Sequence, residues 1–246
     1  MLQDRLVAHR GYQRNYPENT LLAYREAIAA GARAIETDVQ LSADRQPVLY
    51  HDATLSRVSG RRGRVDQLTL AQLLALPAHE PKRFAATFVA NRITPLSALV
   101  ELLAAHPGVT AYIEIKHEAL AFVGIEQCYR IIADCLAPVA SQCVLISFAF
   151  DVIAHASAQG WQRNGLVLER WSDHRSSAVA AIGPEVVFCN HRKVPVRAEL
   201  NLIVPEVVLY EIDCPETAID WFRRGADKIE TFDIGGMIQA LARHAL

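Results

Sequence analysis

The chain lacks any stretch of about 18 consecutive apolar residues, the length needed to cross a bilayer, and its first residues, MLQDRLVAHRG, hold no apolar run of signal-peptide length. These two absences lead to the expectation of a cytoplasmic protein with no stable membrane insertion. No CxxC pair occurs among the five cysteines, Cys128, Cys135, Cys143, Cys189 and Cys214. An odd number in mostly apolar contexts excludes a disulfide framework or a zinc site and reads as buried thiols. A long basic run is missing too: 25 Lys and Arg face 27 Asp and Glu, the net charge is -2, and the arginines are scattered. Nucleic acid, which is held through clustered cations, is therefore not an expected partner. There is no repeat of solenoid period and no low-complexity segment.

What is present is alternation. Short apolar strands are expected at residues 6 to 9, 34 to 38, 111 to 116, 144 to 148, 165 to 168, 186 to 190, 207 to 212 and 228 to 231, with helical patterns between most of them. Eight such units in 246 residues, half of them hydrophobic, predict one domain over 1–246 in the α/β class, a (β/α)8 TIM barrel. PENTLLAYREAIAAGA has a capping Asn19 or Thr20 and a terminating Gly31, and a second helix runs from Pro215 to Gly225. Two features break the alternation. VLYH follows AIETDVQLS after only the ADRQ turn, too short for a crossover helix, so it must return as a hairpin. The interval that follows predicts a small insertion at about 53–92, after the second strand and its hairpin.

Alternate residues of a barrel strand face the interior. Ile35 and Val39 suit the helical shell, which leaves Glu36 and Asp38 pointing inward. In AYIEIK, Ile113 and Ile115 take the shell side, and Glu114 and Lys116 the interior. His9 ends the first strand beside Arg10, and the hairpin returns His51 to the neighbourhood of Asp38. These groups converge at the strand C-termini, where barrel active sites lie. Three carboxylates in one cavity repel unless a cation neutralises them, and all-oxygen ligands favour Mg2+ or Ca2+. With Arg10 and Lys116 the cavity suits an anion, and two histidines supply a proton acceptor and a donor. Phosphodiester cleavage needs those parts.

HRGYQRNYPENTLLAYREAIAAGA, IETDVQL, PVLYHDATLSR and IEIK resemble the glycerophosphodiester phosphodiesterase family in order and spacing, over residues 5 to 65 and 93 to 116. The resemblance implies metal-dependent hydrolysis of small-molecule glycerophosphodiesters to sn-glycerol 3-phosphate and an alcohol. It gives Glu36, Asp38 and Glu114 to the metal, His9 and His51 to acid-base catalysis, and Arg10 and Lys116 to the phosphate. Which histidine is the base stays open, as do a cyclic phosphate intermediate and a homo-oligomer.

The last third departs from the family pattern, with Tyr210-Glu211-Ile212-Asp213 and Glu230-Thr231-Phe232 where W-T-V-N and I-T-D are usual. Extra carboxylates are thereby expected in the cavity, altering the alcohol accepted or the metal preferred. Rival readings are a lyase-like phospholipase giving a cyclic phosphate, for which Phe84 and Phe88 would line an apolar mouth, and a non-catalytic phosphodiester-binding barrel. Asp52 reads as a residue that orients its turn, Ser147 as packing, and Asn190, His191, Glu169 and Trp171 as rim positions.

Overall fold

The computed structural model describes residues 2–198, 200 and 204–243. Ten strands occur among them: β1 (Leu6–Ala8), β2 (Ala34–Leu41), β3 (Pro47–Leu49), β4 (Thr94–Pro95), β5 (Thr110–Ile115), β6 (Cys143–Ser147), β7 (Asn164–Leu168), β8 (Val186–Asn190), β9 (Glu206–Tyr210) and β10 (Lys228–Thr231). Eight are parallel neighbours in the order β1-β10-β9-β8-β7-β6-β5-β2, and a β1 to β2 pairing closes the ring. This is a TIM barrel. The eight expected strands are those of the ring, with ends that coincide or shift by up to three residues, the largest shift being the extension of β2 to Leu41. His9 falls just past β1, and Lys116 just past β5.

The predicted hairpin adds an antiparallel arm to the ring. Val39 pairs with Leu49, Leu41 with Pro47, and β4 continues the arm by pairing Leu49 with Thr94. Between β3 and β5, short helical pieces at Val65–Gln67, Leu70–Leu74 and Pro81–Phe84 enclose a separate apolar cluster of Tyr50, Leu55, Val58, Val65, Leu73 and Ile93. Pieces this short gain little from helix propensity, so that cluster and the Thr69 capping box hold them in place.

Alternation divides the core into two layers. Ile35, Val39, Ile113, Ile115 and Leu145 pack outward under the helices, whereas Val7, Ala34, Tyr112, Val144, Val167, Phe188 and Val208 plug the barrel interior. Tyr112 and Phe188 meet edge to face at 4.9 Å, and Lys228 bonds Tyr112 Oη and Glu206 below them. Gly165 marks the tightest point of the plug, since a Cβ there would stand 2.4 Å from Val186 Cγ1. With the lower barrel filled, polar side chains of the strands gather at the C-terminal mouth.

The helix after β1 runs Leu21–Ala29 with Thr20 as its N-cap, and the helix after β9 runs Pro215–Arg223. Gly31 and Gly225 follow them at positive φ, as expected of residues that end helices. No helix among the described residues is long and apolar enough to cross a membrane. The cysteine reading needs correction at two positions: all five are free, but Cys135 is half-buried and Cys214 is exposed, the latter because it lies in the loop before Pro215 and not in a strand or a helix face.

Candidate active site

The HRG sequence makes the first turn of the site. Arg10 takes a left-handed φ of 54° that aims its amide at Glu36, whose Oε2 accepts it at 3.1 Å. Gly11 has φ 84°, and a Cβ there would lie 2.7 Å from the Ala23 backbone, so the turn can close only on glycine. His9 is held by its own amide donating to the Thr231 carbonyl and by its ring against Phe232 at 4.8 Å.

Glu36, Asp38 and Glu114 present carboxylate oxygens that all lie within 4.8 Å of one another. Their electrostatics differ. Burial would push the Asp38 carboxyl up, but Arg10 Nε at 2.9 Å and Lys116 Nζ at 3.3 Å hold it well below the usual range. Burial, and then Asp38 itself, push Glu36 well above that range and raise Glu114, which has Lys116 Nζ at 2.8 Å. Two cations, both on Asp38 and one of them shared with Glu114, thus face three acids, and the trio remains short of positive charge. A hard divalent cation would remove that deficit, so these residues fit one.

His51 arrives as the hairpin requires: the Tyr50 amide donates to the Asp38 carbonyl at 3.0 Å, and Gln40 Nε2 donates to the carbonyls of residues 50, 51 and 52. His51 Nδ1 lies 2.8 Å from Asp52 Oδ1. Arg57 in turn grips Asp52 through Nε and Nη2 at 2.7 and 2.8 Å. It also grips Glu18 through Nη1 and Nη2, both at 2.7 Å. Glu18 then meets Arg10 Nη1 at 3.2 Å, so one chain of charges joins the two histidine-bearing turns.

Burial raises the Glu18 and Asp52 carboxyls, yet hydrogen bonds from Arg57 to Glu18, and from His51 and Arg57 to Asp52, carry both below the usual range. His9 is pushed the other way, well below the ordinary histidine value, by burial first and by Arg10 second. It is therefore a neutral ring at neutral pH.

A cavity of about 160 Å³ is walled by His9, Arg10, Glu36, His51, Glu114 and Lys116 on one side. Ile146, Val167, Phe188, Tyr210, Glu211 and Glu230 wall the other. An outer cavity of about 610 Å³ shares His51, Glu114, Lys116 and Phe148 with it. Six of the seven residues singled out from sequence line the inner cavity, and the seventh, Asp38, is fully buried behind Arg10 and Lys116.

Other expectations fared differently. Glu211 and Glu230 do enter the cavity wall, whereas Phe84 and Phe88 line neither cavity and pack on each other and on Tyr16. Ser147 donates to the Ile115 carbonyl, as a packing residue would. Asn190 donates to Glu211, Glu169 lines the outer cavity, and Trp171 is buried in the outer layer. His191 stacks edge-on to Trp221.

The sequence reading offered Asn19 or Thr20 as the cap, of which Thr20 is the one, and passed over Glu18. Asn19 instead clamps Asp38, its Nδ2 donating to Oδ2 at 2.8 Å and its Oδ1 accepting the Asp38 amide. Two polar residues sitting between a strand and a helix, ahead of the capping Thr20, were the available signal. Arg57 closes the PVLYHDATLSR motif, but its bridge between Asp52 and Glu18 joins two segments far apart in the chain and was not foreseen.

Fold and site together define a TIM-barrel protein with an anion-accepting, cation-fitted pocket at the C-terminal ends of its strands. The chain belongs to the glycerophosphoryl diester phosphodiesterase family, whose model matches residues 9–195. It is 37% identical over 122 residues to the glycerophosphodiester phosphodiesterase of Caldanaerobacter subterraneus, covering 50% of this chain and 49% of that one. Over 113 residues it is 34% identical to human glycerophosphodiester phosphodiesterase 1, covering 46% and 34%. The matches thus span half or less of the length of these relatives. Among solved structures it resembles an Oleispira antarctica phosphodiesterase in complex with the product sn-glycerol-3-phosphate, at TM-score 0.84 and 22% identity over 97% of this chain and 96% of that one. A glycerophosphodiester phosphodiesterase from Thermotoga maritima gives TM-score 0.74 and 20% identity over 96% and 97%. These two likenesses speak to the fold.

Proposed function

We propose that this protein hydrolyses glycerophosphodiesters to sn-glycerol 3-phosphate and an alcohol, with a divalent cation held by Glu36, Asp38 and Glu114. The observation that carries the reading is the meeting of that acidic trio with two cations and two histidines around one cavity. The bound cation, Mg2+ or Ca2+, supplies charge neutralisation at the phosphoryl oxygens. Everything else is done by side chains of this chain, a single domain that includes the segment at about 53–92.

Arg10 and Lys116 approach the trio from two directions and receive the phosphate between them. Lys116 donates as a point charge, and Arg10 as a fork already fixed by Asp38 and Glu18. His9, neutral and buried, is the proton acceptor: burial and Arg10 disfavour its charged form, so it waits unprotonated for the attacking hydroxyl or water. His51 Nδ1 faces the Asp52 carboxylate at 2.8 Å, which assigns that nitrogen a proton and leaves Nε2 as the nitrogen for the substrate in the cavity that the ring lines. From there it delivers a proton to the leaving alkoxide, while the Asp52 carboxylate balances the doubly protonated ring. Asp52 is a positioning residue, and Arg57 with Glu18 keeps it ionised and in place.

Phosphorus NMR of a reaction with glycerophosphoethanolamine tests this. A single new monoester resonance, with glycerol 3-phosphate recovered one for one with ethanolamine, is the expected result. A cyclic phosphate that accumulates without conversion would replace hydrolysis by the lyase reading, and an unchanged diester would remove both. The lyase reading has no apolar mouth of Phe84 and Phe88 to favour it.

A further inference from the structure

One member of the cavity wall has no part in the chemistry above. Glu230, on β10, pairs with Val7, two residues before His9, and so sits at the inner end of the cavity. It is only 2% exposed, and among the described residues its Oε1 has no hydrogen-bond partner. Buried polar atoms are seldom left this way, because an acceptor without a donor costs stability. The Tyr210 hydroxyl on the neighbouring strand and the His9 ring share the cavity wall with Glu230, yet neither bonds Oε1. Ile146, Val167 and Phe188 carry no donor, and Glu211 is a further acceptor, held with φ 66° while Asn190 Nδ2 donates to it at 2.8 Å. Arg10 is already engaged by Glu18 and Asp38. A strained backbone and an unmatched acceptor at the closed end of a pocket are what a ligand with a donor group would relieve.

We propose that Glu230 is a specificity-determining residue: its free oxygen accepts a hydrogen bond from a hydroxyl or ammonium donor at the inner end of the bound diester. This rests on the phosphodiesterase reading and narrows it. The carboxylate accepts through either oxygen, and a neutral acid still accepts through its carbonyl oxygen. The donor has two sources, the terminal hydroxyl of the glycerol or an ammonium group on the alcohol. A quaternary ammonium has no N–H and cannot serve. Glu230 also stands within 4.8 Å of ligand atoms of His9 and Glu36, a grouping able to hold a cation. That use would take His9 away from proton transfer, so it is the competing outcome.

The test compares kcat/KM on three diesters. Glycerophosphoethanolamine has both donors, glycerophosphocholine lacks the ammonium N–H, and the propane-1,2-diol phosphodiester of ethanolamine lacks the terminal hydroxyl. Sites built to satisfy a substrate donor reject the analogue lacking it strongly. We therefore expect the wild type to disfavour one analogue by about 100-fold or more, and which one identifies the donor. Glu230→Ile should bring the parent down to that analogue, and Glu230→Gln, which keeps an acceptor, should retain part of the preference. Circular dichroism and a melting curve confirm that both variants fold.

Turnover of all three diesters within about threefold, or a preference that survives in Glu230→Ile, overturns the assignment and leaves the phosphodiesterase reading intact. So does a rise of about tenfold or more in the metal concentration for half-activation of Glu230→Gln, which would make Glu230 a metal ligand. No turnover of any of the three would remove the phosphodiesterase reading and this one with it.

Discussion

The two walls of the barrel mouth differ in how their polar groups are spent. On the wall built by β1, β2, the hairpin and β5, Asp38, Glu18 and Asp52 each have two or more partners, and Arg10 and Arg57 bridge between acids. On the wall built by β6 to β10, apolar side chains alternate with Tyr210, Glu211 and Glu230, and Glu230 keeps an unsatisfied oxygen. Apart from His9 Nδ1, which also lacks a hydrogen-bond partner, the charged groups of the first wall are held by one another before substrate arrives, as acid-base and electrostatic catalysis require. A wall with free acceptors gains its order from the substrate and can discriminate between substrates. The contrast separates residues that set the reaction from residues that set its scope.

The largest effect should follow from removing the hub of the ordered wall. Asp38→Asn keeps the shape but unpairs Arg10 and Lys116 and weakens the acidic trio. Steady-state kinetics should show kcat/KM falling by about 10³-fold or more, on the order of 4 kcal/mol of transition-state stabilisation. His51→Ala comes next, with a loss of roughly 10²- to 10⁴-fold in kcat and an unchanged melting temperature, since the ring is one-third exposed at its side chain.

Glu18→Gln should act on stability as well. Glu18 is 1% exposed and neutralises two arginines, so its loss should cost about 3 kcal/mol, read as a melting temperature lower by roughly 6–12 °C. The pH dependence has a definite sign. Because the folded protein depresses the Glu18 carboxyl below its ordinary 4.5, its stabilisation is complete above that pH and lost as the pH falls through the folded value. The difference in stability between wild type and Glu18→Gln should therefore shrink in acid, which denaturant titrations at pH 7 and pH 3 would measure.

The smallest of the four is Asp52→Asn, expected to cost roughly tenfold to a hundredfold in kcat with KM little changed, because the imidazole stays but loses the group that fixes its tautomer. An equal loss in Asp52→Asn and His51→Ala would erase the distinction between a positioning residue and the one it positions.

Strand alternation and the short ADRQ turn were enough to find the ring, the hairpin and the inward side of Glu36, Asp38, Glu114 and Lys116, because those facts are local to a few residues. The charge chain from Arg10 through Glu18 and Arg57 to Asp52 was not legible, since it joins the turn after β1, the loop before a helix and the insertion. Spacing along a chain says nothing about such a meeting. Glu230 is an intermediate case: alternation with Ile229 puts it inside the barrel, but the absence of a partner is a property of the whole wall. Phe84 and Phe88 failed as mouth residues because the insertion has aromatic contacts of its own to make.

The central claim is that Glu36, Asp38 and Glu114 hold a divalent cation on which the hydrolysis depends. The most direct measurement is the release of glycerol 3-phosphate from glycerophosphoethanolamine by the wild-type protein, before chelation, after exhaustive chelation, and after Mg2+ or Ca2+ is restored. Release that stops with the chelator and returns with the ion is the predicted result; release that continues undiminished in the stripped protein would contradict it.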